Sequence, residues 1–200
     1  MQASGILPWH RSRLYERAGK RAFDLAVTAL FSPLWVPLTM LLWLLSWLEA
    51  GQGFYTEQRV GRHGHLFRCV KIRTMRCGTL RKCAAVKTGD DPRVTPWGRF
   101  LRRASLDELP QLFCVLRGEM SLVGPRPVPA SELARYGFGR AQYLALRPGL
   151  TGLWQVSGRN ALPYSARIAL DGHYGREVSL IADVRILLAT CREVWRMSGR

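Results

Sequence analysis

Between Leu25 and Leu48 no side chain carries a charge, and Leu, Val, Trp and Phe dominate; beyond this run, apolar positions are broken every few residues by Gly, Pro, Arg or an acid. A straight helix over the run would extend roughly 36 Å, enough to cross a hydrocarbon core of about 30 Å. Ser32-Pro33 argues against straightness. Proline removes a backbone donor and clashes with the preceding turn, and the Ser32 hydroxyl can serve a carbonyl so freed. Measured from that break, limbs of about 8 and about 16 residues reach only about 12 and 24 Å. The following Glu49-Ala50-Gly51-Gln52-Gly53 does not resemble the small-residue site of a cleaved leader.

After these glycines, residues 54 to 75 mix β-prone positions with Gly61 and Gly64, predicting a short hairpin or irregular strands. Residues 76 to 91 are polar and basic without apolar periodicity, which predicts a loop. Asp91-Pro92 and Thr95-Pro96 punctuate the chain before a helix over Trp97 to Arg103. A second helix runs to about Leu116 and stops at Gly118; because Pro110 is harmless only in a first turn, this helix should start between Ser105 and Asp107. Gly124-Pro125-Arg126-Pro127 holds Arg126 on stiff extended backbone. Ser131 to Leu146, Ser165 to Tyr174 and Ile181 to Trp195 read as further helices, with a turn-rich loop at Arg147 to Gly152.

Charge changes the picture of the apolar run. The 200-residue chain has 30 Lys and Arg against 14 acids, a formal charge of +16, so an anionic partner or surface is expected. Arg11, Arg13, Arg17, Lys20 and Arg21 precede the run and Arg59, Arg62, Arg68, Lys71 and Arg73 follow it. Both flanks favour the same cytoplasmic side. A hairpin that dips into one leaflet and returns satisfies both; a spanning helix with a proline kink is the alternative. Leu14 to Arg21 then reads as a basic helix at the headgroups. The cysteines form no C-x-x-C pair and their count, five, is odd, which points to a reducing compartment. His63 and His65 have no cysteine at ligand spacing, so no structural zinc is expected.

Asp107-Glu108 admits two readings. Ser105-x-x-Glu108 fits a capping box, and Asp107 could itself cap the helix. Yet Arg99, Arg102, Arg103 and Arg126 surround this acidic pair with positive charge. A carboxylate at a helix start stays ionised, the same free N–H groups favour phosphate oxygens, and arginine forks match those oxygens bidentately. A nucleophile and a phosphate could share such a site. Mg²⁺ would suit it, since it binds through one or two carboxylates plus substrate phosphates.

Seven blocks occur in order: Lys71 to Met75, Asp91 to Thr95, Gly98 to Arg103, Ser105 to Leu112, Gly118 to Pro127, Arg147 to Gly152 and Trp154 to Asn160. Together they resemble the bacterial sugar transferase family, the monotopic polyprenyl-phosphate sugar-1-phosphate transferases. The likeness runs from about Lys20 to the C-terminus and covers the catalytic portion, without the N-terminal multi-span region of longer members. It implies a re-entrant hairpin broken at Ser32-Pro33. It also implies a catalytic dyad at Asp107 and Glu108, in which the aspartate attacks the β-phosphate of a UDP-sugar, expels UMP, and forms a phosphosugar-aspartyl intermediate that polyprenyl phosphate intercepts.

The fold class expected is therefore mainly α with a few short β-strands: an interfacial segment over 1–21, a re-entrant membrane helix-break-helix hairpin over 22–50, and a compact catalytic domain over 51–200 lying on the cytoplasmic face of the bacterial inner membrane. Arg102, Arg126 and Lys71 are candidate phosphate-binding residues, although Lys71 and Arg73 also suit a headgroup layer or a solvated strand. Arg147, Trp154 and Arg159 are candidates for framing the sugar or nucleotide, with Trp154 equally readable as core. Mg²⁺ is the expected cofactor, held by Asp107 and Glu108. UDP-sugar, undecaprenyl phosphate and anionic lipids are the expected partners, further copies of the chain an additional candidate, and nucleic acid is not expected. A non-catalytic polyanion binder or a hairpin scaffold would also fit the charge, but assigns the carboxylates no role. No residue identifies the sugar.

Overall fold

A computed structural model describes residues 12, 14–76 and 91–195 of the chain. The basic loop expected from 76 to 91 thus falls almost wholly outside the described residues, as do Arg11 and Arg13.

A π-helical turn, Tyr15–Gly19, runs directly into α1 (Lys20–Leu30), and Phe31 at φ −90° and ψ 2° separates it from α2 (Ser32–Ala50). The break therefore lies one residue before the Ser-Pro pair. Pro33 falls in the first turn of α2, where the missing N–H costs nothing. The Ser32 hydroxyl donates to the Ala29 carbonyl at 2.8 Å, as its place beside a freed carbonyl requires, and the Trp35 indole N–H reaches back to the Thr28 carbonyl at 2.9 Å. The two helices have 11 and 19 residues, longer than the apolar limbs, because α1 begins on the basic residues before the run and α2 continues to Ala50. A second proline, Pro37, sits inside α2 and was not singled out from the sequence.

Among the described residues α2 is the one helix long and apolar enough to cross a membrane, and much of its surface is uncovered: Leu34 is 70% and Leu48 66% exposed. Yet both ends of the α1–α2 unit are tied to the rest of the fold. Arg21 donates to the Val115 and Leu116 carbonyls at 2.5 and 2.9 Å, and Asp24 accepts from the Leu122 N–H at 3.1 Å. At the far end the Ser46 hydroxyl donates to the Arg73 carbonyl at 2.8 Å.

The expected hairpin is formed by β1 (Phe54–Val60) and β2 (Leu66–Ile72), antiparallel with Tyr55 opposite Lys71. In α3 (Pro96–Arg103) the Thr95 hydroxyl caps the start by accepting from the Gly98 N–H at 2.9 Å. A short 3₁₀ turn, Leu106–Glu108, precedes α4 (Gln111–Arg117), which stops on left-handed Gly118. The α-helix therefore starts after the acidic pair, not within Ser105 to Asp107, and Pro110 is its N-cap residue.

A parallel pair joins β3 (Ser121–Val123) to β4 (Gly149–Thr151) across an insertion. That insertion is not the single helix expected from 131 to 146. It holds α5 (Ala130–Leu133) and α6 (Arg140–Ala145) on either side of a 3₁₀ segment in which Gly137 adopts φ 50° and ψ −126°, a conformation open to glycine and costly for other residues. Next come α7 (Leu153–Val156), α8 (Tyr164–Arg176) and α9 (Leu180–Trp195). Mainly helical with few short strands, the fold closes around a core that includes Phe67, Leu112, Val115, Met120, Val123 and Ile186. Asp183 of α9, fully buried, accepts from the Tyr15 and Tyr174 hydroxyls, each at 2.7 Å, and from Lys20 at 2.6 Å, locking the entry segment to the last helix.

Candidate active site

The β1–β2 hairpin builds one wall of a cavity of about 580 Å³. Side chains alternate along a strand, so Tyr55, Glu57 and Arg59 share a face, and the antiparallel register puts Lys71 on it as well. Arg73, Thr74 and Met75 extend this wall. Arg102 comes from α3; Ser105, Asp107 and Glu108 come from the turn before α4; Arg126 comes from the proline loop. Trp154, Gln155, Arg159 and Arg167 close the opposite side.

Local backbone geometry explains how these groups converge. Ser105 has φ 55° and its hydroxyl caps no helix, and the Glu108 carboxylate turns to Lys71 instead of back to Ser105; the capping-box reading is corrected on both counts. Arg159 has φ 50°, so among the described residues two of the three non-glycine residues at positive φ line the cavity. Such conformations cost of order 1 kcal/mol or more and collect where a site dictates the backbone path. The Arg126 loop depends on bare backbone contact. A Cβ on Gly124 would lie 2.4 Å from the Arg147 carbonyl oxygen, and one on Gly149 would lie 2.1 Å from the Gly124 nitrogen.

The two adjacent carboxylates have different surroundings. Glu108 Oε1 is paired with Lys71 Nζ at 2.6 Å and Arg126 Nη2 at 3.5 Å. Burial works to raise its pKa, but Lys71 and Arg126 outweigh burial and hold the group at about 2. Asp107 makes no ion pair or hydrogen bond with any described residue. Burial, and then the Glu108 charge, push its pKa up to about 6 against the pull of Lys71, Arg102 and Arg126. Glu108 is thus a fixed anion, and Asp107 is a carboxylate with uncommitted lone pairs and raised basicity.

Among the described residues Arg59, Lys71, Arg73, Arg93, Arg102, Arg126, Arg159 and Arg167 line the cavity against three acids, Glu57, Asp107 and Glu108. Most of these cations are engaged: Arg59 with Glu57 at 2.5 Å, Arg93 with Asp91, Arg159 with Glu193 at 3.8 Å, Arg102 with the Thr74 hydroxyl at 2.9 Å, and Arg167 over the Trp154 ring at 4.8 Å, which still leaves the lining net positive. The surplus fits a multiply charged phosphate ligand. Trp154 is both buried and cavity-lining, so its two readings merge. Arg147 is not among the cavity residues; its Nε donates to the Gly118 carbonyl at 2.9 Å, closing the end of α4. Tyr55, Glu57 and Arg59 escaped the sequence reading although alternation anchored on Lys71 could have found them. Arg167 sits on a helix whose pattern carries no such cue.

Among the described residues no group of three or more His, Cys, Asp or Glu is placed to form a protein-built metal cage. The donors near the cations reduce to the uncommitted Asp107 carboxylate and the Glu108 oxygen opposite its Lys71 contact. This small set fits Mg²⁺ shared with substrate phosphates.

The bacterial sugar transferase family model matches residues 15–197. The undecaprenyl-phosphate galactose phosphotransferase of Salmonella typhimurium is 43% identical over 195 residues, covering 90% of this chain and 41% of that protein. The exopolysaccharide production protein ExoY of Sinorhizobium fredii is 43% identical over 196 residues, covering 90% and 87% of the two chains. The UDP-glucose:undecaprenyl-phosphate glucose-1-phosphate transferase of Caulobacter vibrioides is 42% identical, covering 86% of this chain and 67% of its own. The chain spans less than half the length of the Salmonella relative, at 41%.

Proposed function

The chain belongs to the bacterial sugar transferase family, and from that premise we propose that it transfers a sugar-1-phosphate from a UDP-sugar to undecaprenyl phosphate, releasing UMP, as the first membrane step in building an exopolysaccharide, O-antigen or related glycoconjugate. The observation that carries this reading is the division of labour in the dyad: Asp107 is uncommitted in a cationic cavity while Glu108 is fixed by Lys71 and Arg126. An Asp107 oxygen attacks the β-phosphorus; the bond from that phosphorus to the α–β bridging oxygen breaks, and UMP leaves with its electron pair. A phosphate oxygen of undecaprenyl phosphate then attacks the same phosphorus, and the Asp107 carboxylate departs unchanged. Covalent catalysis divides a reaction between two anions into two separately positioned steps.

Glu108, ionised throughout the neutral range, takes no proton; it anchors Lys71 and Arg126 beside the diphosphate. Arg102, held by Thr74, and Arg126 bind phosphate oxygens, and Trp154 and Arg159 frame the sugar or nucleotide. Asp107 and Glu108 would hold Mg²⁺, which when bound supplies charge neutralisation across the diphosphate.

The α1–α2 unit is read as a re-entrant hairpin that places the catalytic domain on the cytoplasmic face of the inner membrane. Support comes from Arg21 and Asp24 at one end and Ser46 at the other, all bonded to the same globular domain. A helix crossing the membrane would carry one end away from those partners. Incubating the chain with labelled UDP-sugar and no undecaprenyl phosphate tests the chemistry: the phosphosugar should map to the peptide containing Asp107. UMP release that strictly requires undecaprenyl phosphate, with no adduct at any time, would replace the covalent route by direct transfer.

A further inference from the structure

Beside Glu108 lies a second, much smaller cavity of about 10 Å³, whose walls include Cys69, Glu108, Gln111, Arg126 and Gln155. That is room for a single water molecule. Two amide atoms on its lining residues are buried without a hydrogen-bond partner: Gln111 Nε2, a donor, and Gln155 Oε1, an acceptor. Gln111 opens α4 three positions after Glu108 and is only 2% exposed. Gln155 belongs to α7, and its other amide atom, Nε2, reaches toward the Leu150 carbonyl at 3.4 Å.

An unmet buried donor or acceptor costs roughly 1–3 kcal/mol, and native interiors keep few of them. Here one of each kind belongs to residues that line the same small space, and Glu108 lines it too. One water answers all three. It accepts from Gln111 Nε2, donates one proton to Gln155 Oε1, and donates the other to Glu108, whose Oε1 already receives Lys71 but whose carboxylate retains further lone pairs. Three hydrogen bonds are the usual complement of a buried water.

We propose that Gln111 and Gln155 are positioning residues that hold Glu108 through one shared buried water, fixing the dyad between α4 and α7. The role assigned to Glu108 rests on the phosphoryl-transfer reading above; the water site itself rests only on the cavity and its two unmet amides. Neither glutamine is given a contact with the reacting atoms in this role. Their effect is to keep the carboxylate that anchors Lys71 and Arg126 from rotating, so removal should lower turnover more than substrate binding.

The test has a structural arm and a kinetic arm. An experimental structure of the wild-type chain, at a resolution that places ordered waters, should show one water within hydrogen-bond reach of Gln111, Gln155 and Glu108. Direct bonding between the two amides, or a collapsed cavity, would overturn the proposal. In the kinetic arm, Gln111→Leu and Gln155→Leu should each reduce kcat roughly 10-fold to 100-fold with KM for the UDP-sugar changed less than about twofold. Because both remove the same bridge, the double variant should be no slower than the slower single variant; effects that multiply, or a loss carried by KM, would refute the shared water. If the leucine variants do not fold, the structural arm decides alone. Failure to trap a phosphosugar on Asp107 would withdraw the covalent reading while leaving the water assignment standing, so the two failures are distinguishable.

Discussion

Asp107 and Glu108 are neighbours in sequence and opposites in chemistry. On the proposed mechanism Asp107→Asn preserves size and polarity but removes the attacking anion, so activity should fall by at least about a thousandfold with a melting temperature in detergent that is unchanged or raised at neutral pH. On the same mechanism the reactive form of Asp107 is the carboxylate, and since burial and the Glu108 charge raise its pKa above the ordinary aspartate value, kcat/KM should fall on the acidic side of neutrality. Glu108→Gln removes the neighbouring negative charge and frees Lys71, and both changes lower the Asp107 pKa. The acidic limb should therefore move to lower pH in this variant while turnover drops, a pairing that steady-state pH profiles would detect. Exhaustive EDTA treatment should abolish UMP release and Mg²⁺ should restore it; full activity after chelation would leave arginines as the sole neutralising groups. The sequence made Asp107, Glu108, Arg126 and Lys71 legible because charge, proline stiffness and motif spacing all act locally. It told the two acids apart only through the family resemblance, since the contact that distinguishes them physically joins Glu108 to Lys71, 37 positions away.

At the level of elements, periodicity located the helices well wherever a single face is buried, as in α3 and α9. It failed from 131 to 146, because an apolar pattern does not register that Gly137 reverses the chain. That detour packs Tyr136 from the broken segment and Tyr143 of α6 against Tyr164 of α8, and Tyr136 donates to Asp171 of the same helix at 3.2 Å. Burial raises the Asp171 pKa to about 7, with the Tyr136 hydrogen bond opposing only in part. The folded chain then holds a proton that the unfolded chain loses near pH 4, so stability contributed by neutral Asp171 is present at low pH and is lost as pH rises toward about 7. Asp171→Asn should flatten that loss and raise the melting temperature at pH 8 relative to wild type, with a smaller gain at pH 5, where only the first part of the loss has occurred. Thermal denaturation in detergent at the two pH values checks it.

For the whole molecule, the reading of the apolar segment has a direct topological test. With native cysteines replaced, Ser4→Cys and Ser157→Cys should both resist a membrane-impermeant reagent added to intact cells. Labelling at position 4 alone would restore a spanning helix. In the same background Pro33→Ala keeps a donor in the first turn of α2, lets the helix run on through Phe31, and should either expose position 4 or reduce the folded yield. Composition and charge mark one apolar unit with basic flanks, yet not which groups receive it, because those partners are distant in sequence.

That distance sets an order of events during synthesis. Arg21 waits for carbonyls 94 and 95 residues later, Asp24 for an N–H 98 residues later, and Lys20 for Asp183, 163 residues later. At translation rates of about 5–20 residues per second, the apolar helices leave the ribosome on the order of ten to thirty seconds before their last polar partner exists. Throughout that interval Lys20 and Asp24 lack the interior that later shelters them, and on the proposed reading the lipid surface would host the apolar residues that follow them in α1 and α2. On the proposed re-entrant reading, delivery to the bilayer would precede completion of the domain, and the nascent chain would assemble its cavity already tethered beside the membrane surface.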